Sequence, residues 1–283
     1  MRIAVIDMNN GAPNLGLGAI RETLKCYARS RDIGHPALSY DVFDLRTKGE
    51  CPDLGYDIYI SSGGPGDPFE GAGMRWEQDF FDLLEGIVQH NQRTDEGTSS
   101  GQKKYVLLIC HSFQLACRKF GFGIVCRRRS TAFGIFPVSM TSEGREDELF
   151  AELPDPFFAV DSRDWQVLTT KNGLAEQISG GQPRILALEK ERPHVDLERC
   201  IMAVRFTPEI AGTQFHPEAG AAGMRSYLLQ DEKRRLVTEN HGIAKYQEML
   251  DSLDDPRKLE LTQSLLLPNF LDNALNALQE AEP

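Results

Sequence analysis

The first half of the sequence alternates short, wholly apolar runs with longer stretches of helical periodicity, and few architectures can absorb that pattern. Ile3 to Asp7 stays apolar until its last residue, with no polar alternation, as a strand buried on both faces requires. Asn14 to Arg29 then carries Leu17, Ile20, Leu24 and Tyr27 at helical spacing. Tyr40 to Leu45 and Asp57 to Ser61 read as further strands. Trp76 to His90 reads as a helix with Phe80, Leu83, Leu84, Ile87 and Val88 on one face. Tyr105 to Ile109 is the most apolar run, and a helix is expected from Ser112 to Phe120. Strands alternating with helices predict an α/β fold, an open and mostly parallel sheet with helices on both faces.

Beyond Phe120 the pattern changes. Ile135–Met140, Phe157–Val160, Gln166–Thr170, Ile185–Leu188, Ile201–Arg205 and Gly212–Phe215 are short β-like runs, and after Pro217 the chain is almost wholly helical in pattern. The polar, Gly- and Ser-rich stretch 91–104 reads as a surface loop. No repeat or linker interrupts the chain, so the expectation is a single domain over 1–283 with a helical excursion at about 219–267.

Composition narrows the function classes. The 31 Lys and Arg against 42 Asp and Glu give a formal charge of −11. A nucleic-acid partner is therefore not expected, since holding a phosphate backbone needs a positive footprint. No segment approaches the roughly 20 apolar residues that span a bilayer, so no membrane partner is expected either. The N-terminal apolar run, only about five residues, is shorter than a secretory signal needs, and a cytoplasmic location is expected. The cysteines at 26, 51, 110, 117, 126 and 200 form no C-x-x-C pair and no metal-ligand spacing, so neither a metal nor a cofactor is called for.

Three segments carry chemistry. In YVLLICHSFQLACRKFG (105–121) an apolar strand runs into Cys110 and a helix starts at once. Such a sharp turn exposes a nucleophile, and the positive end of the helix dipole favours a thiolate there. In GTQFHPEA (212–219) Pro217 holds the preceding residue extended, so His216 and Glu218, two apart, can face one another. A carboxylate on one imidazole nitrogen sets the tautomer and leaves the other to take a proton. The loop Ser61-Ser62-Gly63-Gly64-Pro65-Gly66-Asp67-Pro68 follows a strand, and its glycines let backbone N–H groups approach an oxyanion.

Taken in this order, a Gly-Gly-Pro-Gly loop, a cysteine followed four residues later by Gln114, and Gln-Phe-His-Pro-Glu, the set resembles the class I glutamine amidotransferases, including glutaminase domains of the GMP synthase type. The resemblance covers roughly residues 1–218 and extends to Asn269-Phe270-Leu271. It implies a flavodoxin-like fold and a Cys110–His216–Glu218 triad. Backbone N–H groups of Gly64 and His111 would form an oxyanion hole, and Gly66 and Gln114 would hold substrate. Ser162 and Arg163, in Asp161-Ser162-Arg163-Asp164, stand where the family commonly has a Ser-His substrate contact. The implied substrate is glutamine or another γ-glutamyl compound, and the implied partner is a separate synthase.

The sequence also departs from the family. Leu108 and Ser112 replace two glycines that usually flank the nucleophile, and a bulky Leu108 would loosen the turn. Ala132-Phe133-Gly134 stands for a Glu-aromatic-Gly segment without its carboxylate. The excursion, with apolar stripes at Leu228, Leu229, Leu236 and Val237 and at Ile243, Tyr246, Met249 and Leu250, reads as packing appendage, active-site lid or docking surface. Three activities stay open: the glutaminase of a two-part amidotransferase, a stand-alone γ-glutamyl hydrolase, and a non-catalytic protein on the same fold.

Overall fold

The structure, a computed structural model, describes residues 1–12, 15–33, 38–99, 101–169, 178, 181–191 and 197–280. Asn14, Ser100 and Thr170, which belong to segments read from the sequence, lie outside the described residues.

The chain runs through β1 (Arg2–Asp7), α1 (Leu15–Ser30), β2 (Ser39–Asp44), α2 (Leu45–Lys48), β3 (Ile58–Ser61), α3 (Arg75–Asp95), β4 (Tyr105–Ile109) and α4 (His111–Phe120). It continues through β5 (Ile124–Met140), α5 (Ser142–Glu146), β6 (Phe157–Leu168), β7 (Arg184–Glu189), β8 (Ile201–Thr207) and β9 (Ile210–Thr213). Four helices close it: α6 (Ala221–Leu228), α7 (Asp231–His241), α8 (Ile243–Leu253) and α9 (Pro256–Glu280). One sheet has the order β2-β1-β3-β4-β9-β8-β7-β5-β6. The pairs from β2 to β9 are parallel. Beyond β9 the sheet continues in antiparallel pairs, with β8 and β5 opposed to the rest.

The apolar strands are apolar because both faces are covered. Ile3, Val5, Ile58, Ile60, Leu107 and Ile109 point to the side packed by Ile20, Leu24 and Tyr27 of α1 and by Leu266, Leu267, Phe270 and Leu271 of α9. Ala4, Ile6, Tyr59, Val106 and Leu108 point the other way, onto Phe80, Leu84 and Ile87 of α3 and Phe113 and Leu115 of α4. The strand period of two divides the side chains between two cores, which is the expected flavodoxin-like layering.

Helix α3 runs on to Asp95, into the stretch 91–104 read as a surface loop, and two further segments differ from their sequence reading. Strand β5 begins at Ile124, not Ile135, because β6 pairs with it along nearly its whole length and supplies backbone partners where side chains are not buried. Phe157–Val160 and Gln166–Leu168 are accordingly one strand. Helix α9 joins the end of the excursion to Asn269-Phe270-Leu271 without a break, although Pro268 lies inside it. An internal proline removes a helical hydrogen bond at a cost of about 3 kcal/mol, which burial of Leu266, Leu267, Phe270 and Leu271 around it offsets. Helices α6 to α8 and the start of α9 pack Leu228, Val237, Tyr246, Met249, Leu253 and Leu259 on Ile135 and Val160 of β5 and β6.

Candidate active site

Strand β4 delivers Cys110 to the N-terminus of α4 at φ 50°, ψ −99°. A non-glycine residue in that region costs on the order of 1–3 kcal/mol and persists only where neighbours hold it. Here the Cys110 N–H donates to the Thr213 carbonyl at 2.7 Å, and the Cys110 carbonyl accepts from the Gln114 N–H at 3.0 Å. The turn therefore forms despite Leu108. Leu108 is fully buried on the α3–α4 side, and its register partner on β9 is Gly212. A Cβ built on Gly212 would lie 3.5 Å from Leu108 Cβ and 2.7 Å from Phe113, so the missing side chain on β9 makes room beside the leucine. Ser112 has its own use: its hydroxyl donates to the Ser62 carbonyl at 2.7 Å and lies 2.7 Å from Ser61 Oγ, tying the turn to the glycine loop.

Beyond β9 the chain stays extended, and the His216 N–H donates to Val160 O of β6 at 2.9 Å. The His216 ring bonds Glu218 Oε1 through Nδ1 at 2.9 Å and lies beside the Cys110 side chain. With Nδ1 engaged, Nε2 is the nitrogen available to the sulfur. Burial works against a charged ring, but the Glu218 carboxylate and the Cys110 sulfur outweigh it and hold His216 well above the usual imidazole range. Cys110 is 4% exposed, and the His216 side chain keeps 20% of its surface, so the ring can be reached while the cysteine is almost closed off. Glu218 is buried, and among the described residues its Oε2 has no hydrogen-bond partner.

The glycine loop forms the opposite wall. A Cβ on Gly63 would come within 2.7 Å of the His216 ring and 3.3 Å of Cys110 Cβ, which places the loop backbone directly against the pair. Gly64 packs on the Met8 carbonyl, and Gly66 turns at φ 106°. Two arginines clamp the loop from outside. Arg46 donates to Met8 O at 3.0 Å and Pro65 O at 2.7 Å and pairs with Glu70; Arg118, on the helix that starts at Cys110, donates to Pro68 O and pairs with Glu77. His111 follows Cys110 with its ring buried. Burial, with Arg46 and Arg118 nearby, pushes it down to about 3, so the ring is neutral and a weak proton acceptor at neutral pH. As the first residue of α4, its backbone N–H has no intrahelical acceptor.

Other residues read from the sequence fall in different places. Ser162 is exposed on β6, and its carbonyl lies 4.0 Å from the Cys110 sulfur. Arg163 points to the opposite face, as alternation along a strand demands. Its guanidinium is buried on Asp161 Oδ1 at 2.7 Å with Met202 Sδ at 3.3 Å, and the structure does not bring it to the cleft. Gln114 is buried and its amide donates to Gln214 Oε1 at 3.2 Å. Gln214, which sequence reasoning passed over inside its own motif, aims Nε2 at the Cys110 sulfur at 3.7 Å. Phe69 and Trp165 were also missed; their rings lie 5.5 Å apart and join the glycine-loop wall to the β6 wall. The excursion stands beside the site: Gln263 donates to the Glu218 carbonyl at 3.4 Å, and Met249 occupies the space a Cβ on Gly134 would need. Among the described residues, no group of three His, Cys, Asp or Glu side chains is placed to hold a metal ion, and no helix is long and apolar enough to cross a membrane.

Comparison with known proteins agrees with this fold. The family described as glutamine amidotransferase class-I matches residues 19–235. No curated protein matches the sequence. Among solved structures, a glutamine amidotransferase from Thermotoga maritima superposes with a TM-score of 0.66 at 18% identity, covering 97% of this chain and 98% of that one. A putative GMP synthase component from Thermoplasma acidophilum gives 0.51 at 18% identity, covering 89% and 98%. The glutaminase domain of Trypanosoma brucei CTPS, solved with bound acivicin, gives 0.52 at 14% identity, covering 77% and 86%.

Proposed function

This chain belongs to the class I glutamine amidotransferase family, and from that premise we propose that it hydrolyses the γ-amide of glutamine through a thioester on Cys110 and passes the ammonia to a separate synthase. The observation that supports the reading is His216 bonded to Glu218 beside Cys110, with the glycine loop against both. The thiol proton passes to His216, whose imidazolium Glu218 and the neighbouring sulfur favour, and the thiolate attacks the γ-carbonyl carbon. The developing oxyanion faces the backbone N–H groups of Gly64 and His111, where fixed dipoles stabilise charge without reorganising. As the tetrahedral adduct collapses, the C–N bond breaks and His216 returns the proton to the departing ammonia. A water then gives a proton to His216 and attacks the thioester, releasing glutamate and the thiol. Gly66 and Ser162 line the place where the amino-acid end would lie. The reaction is assigned to a single domain spanning the chain, in the cytoplasm.

The test is ammonia release from glutamine by the purified chain, with Cys110→Ala as control and a glutamine-like diazoketone as covalent label. Activity that rises when a candidate synthase is added supports ammonia transfer. A second reading, stand-alone hydrolysis of γ-glutamyl compounds, is favoured by one observation: Cys110, His216 and the glycine loop lie together within this one chain. Turnover of γ-glutamyl dipeptides faster than glutamine, unchanged by any partner, would select it. Absence of labelling at Cys110 under all conditions would leave only a binding role.

A further inference from the structure

We propose that Gln214 is a positioning residue that holds the Cys110 sulfur by an N–H donation, with Gln114 fixing the orientation of its amide. The inference rests on the reading of Cys110 as nucleophile.

Gln214 follows β9 directly, is fully buried, and has its backbone N–H anchored on Met202 O at 2.8 Å. Its side-chain amide bridges two groups of the nucleophile helix. Oε1 accepts from Gln114 Nε2 at 3.2 Å, which leaves Nε2 directed at Cys110 Sγ, 3.7 Å away. Gln114 is itself one helical turn beyond Cys110, with its N–H on the Cys110 carbonyl. An amide has one acceptor and one donor end, and occupying the acceptor end selects the orientation in which the donor faces the sulfur. The neighbouring residue of the same segment, Thr213, accepts from the Cys110 N–H. The end of β9 thus grips the strained residue twice, at its backbone and at its sulfur.

A donor aimed at sulfur favours the thiolate over the thiol, and a bond to a charged group in a site shielded from water is worth more than one between neutral groups. The titratable groups at the sulfur are His216, from the segment after β9, and Glu218 behind it; His111 follows on α4. Ser162 of β6 and Gly63 of the glycine loop face it without charge. His216 supplies the proton transfer, while Gln214 keeps the sulfur placed and partly stabilised after the proton has gone.

The experiment is the pH profile of Cys110 alkylation by iodoacetamide, followed by mass spectrometry of the Cys110 peptide in the intact chain, for wild type, Gln214→Met, Gln214→Asn and Gln114→Met. Removal of the donor is expected to move the profile up by about one pH unit, about tenfold less reaction on the acidic limb. Gln114→Met should shift it less in the same direction, and the double variant should add little to Gln214→Met alone, as members of one relay do. Gln214→Asn, which keeps the polarity but withdraws the amide by about one bond length, should behave like Gln214→Met if reach to sulfur is what matters. A folded Gln214→Met or Gln214→Asn protein with an unmoved profile overturns the relay, and so do additive shifts in the double variant. Alkylation needs no γ-glutamyl turnover. A moved profile without turnover would therefore sink the proposed reaction and keep the relay, and turnover with an unmoved profile would do the reverse.

Discussion

Replacing Gly63 by alanine tests the site at its tightest point. The Gly63 backbone lies in a region open to any residue, so alanine introduces no strain of its own. Its Cβ would lie 2.7 Å from His216 Cε1, against an ordinary carbon–carbon separation of about 3.5–4.0 Å, and 3.3 Å from Cys110 Cβ on the other side. Something must yield by about 1 Å. The loop is held by the Ser112 bond to Ser62 O, by the Ser62 N–H on Ile6 O and by Gly64 on the Met8 carbonyl. The imidazole, partly exposed, is the part free to move. A displacement of about 1 Å between reacting groups costs on the order of a hundredfold in rate. Gly63→Ala is therefore expected to lower kcat/KM for glutamine about a hundredfold, with a thermal midpoint within a few degrees of wild type. Gly64→Ala is the contrast: its Cβ would sit 2.1 Å from the Met8 carbonyl oxygen, which cannot swing aside, and that variant should lose stability first. A Gly63→Ala enzyme within threefold of wild type, or one that melts as Gly64→Ala does, would refute the reasoning.

Arg163→Met removes the ion-pair partner of buried Asp161 and should destabilise the fold by about 3–5 kcal/mol while leaving KM unchanged; a raised KM at unchanged stability would return Arg163 to the substrate site. His216 titrates above the usual range when folded, so its charge stabilises the fold fully below the unfolded value of about 6.5, and this is lost as pH rises through the folded value. The stability penalty of Glu218→Gln, from urea midpoints, should accordingly be largest near pH 6 and shrink steadily above it; a penalty constant from pH 5 to 10 would contradict the assignment. Met249→Ala should cost about 2–5 kcal/mol in urea unfolding with kcat/KM preserved, whereas a kinetic loss at unchanged stability would make the excursion a lid.

The parts of the fold legible in the sequence are those where one physical requirement dominates a short stretch. Tyr105–Ile109 reads as a strand because burial on both faces leaves no polar position, and its observed bounds are the same. The Cys110 and His216-Pro217-Glu218 segments were legible because turn chemistry and a two-residue spacing are local. Ile124–Phe133 escaped, because its pairing with β6 depends on backbone partners that no side-chain pattern records. The boundary near 267, taken from the resemblance, does not interrupt α9, which packing on both sides of Pro268 keeps continuous.

By itself the sequence determined the alternation of strands and helices and the meeting of His216 with Glu218, since each needs only neighbours along the chain. Tertiary structure decided which of two faces each side chain serves. The period of two along β6 leaves the Ser162 side chain exposed, with its carbonyl 4.0 Å from the sulfur, and sends Arg163 into a buried ion pair. It also brought Gly63, Cys110 and Gln214 within contact from three separate strand ends, where parallel pairing in register stacks those ends along one edge of the sheet. Contacts between segments so far apart in sequence follow from register and layer, and a reading of one segment at a time contains neither.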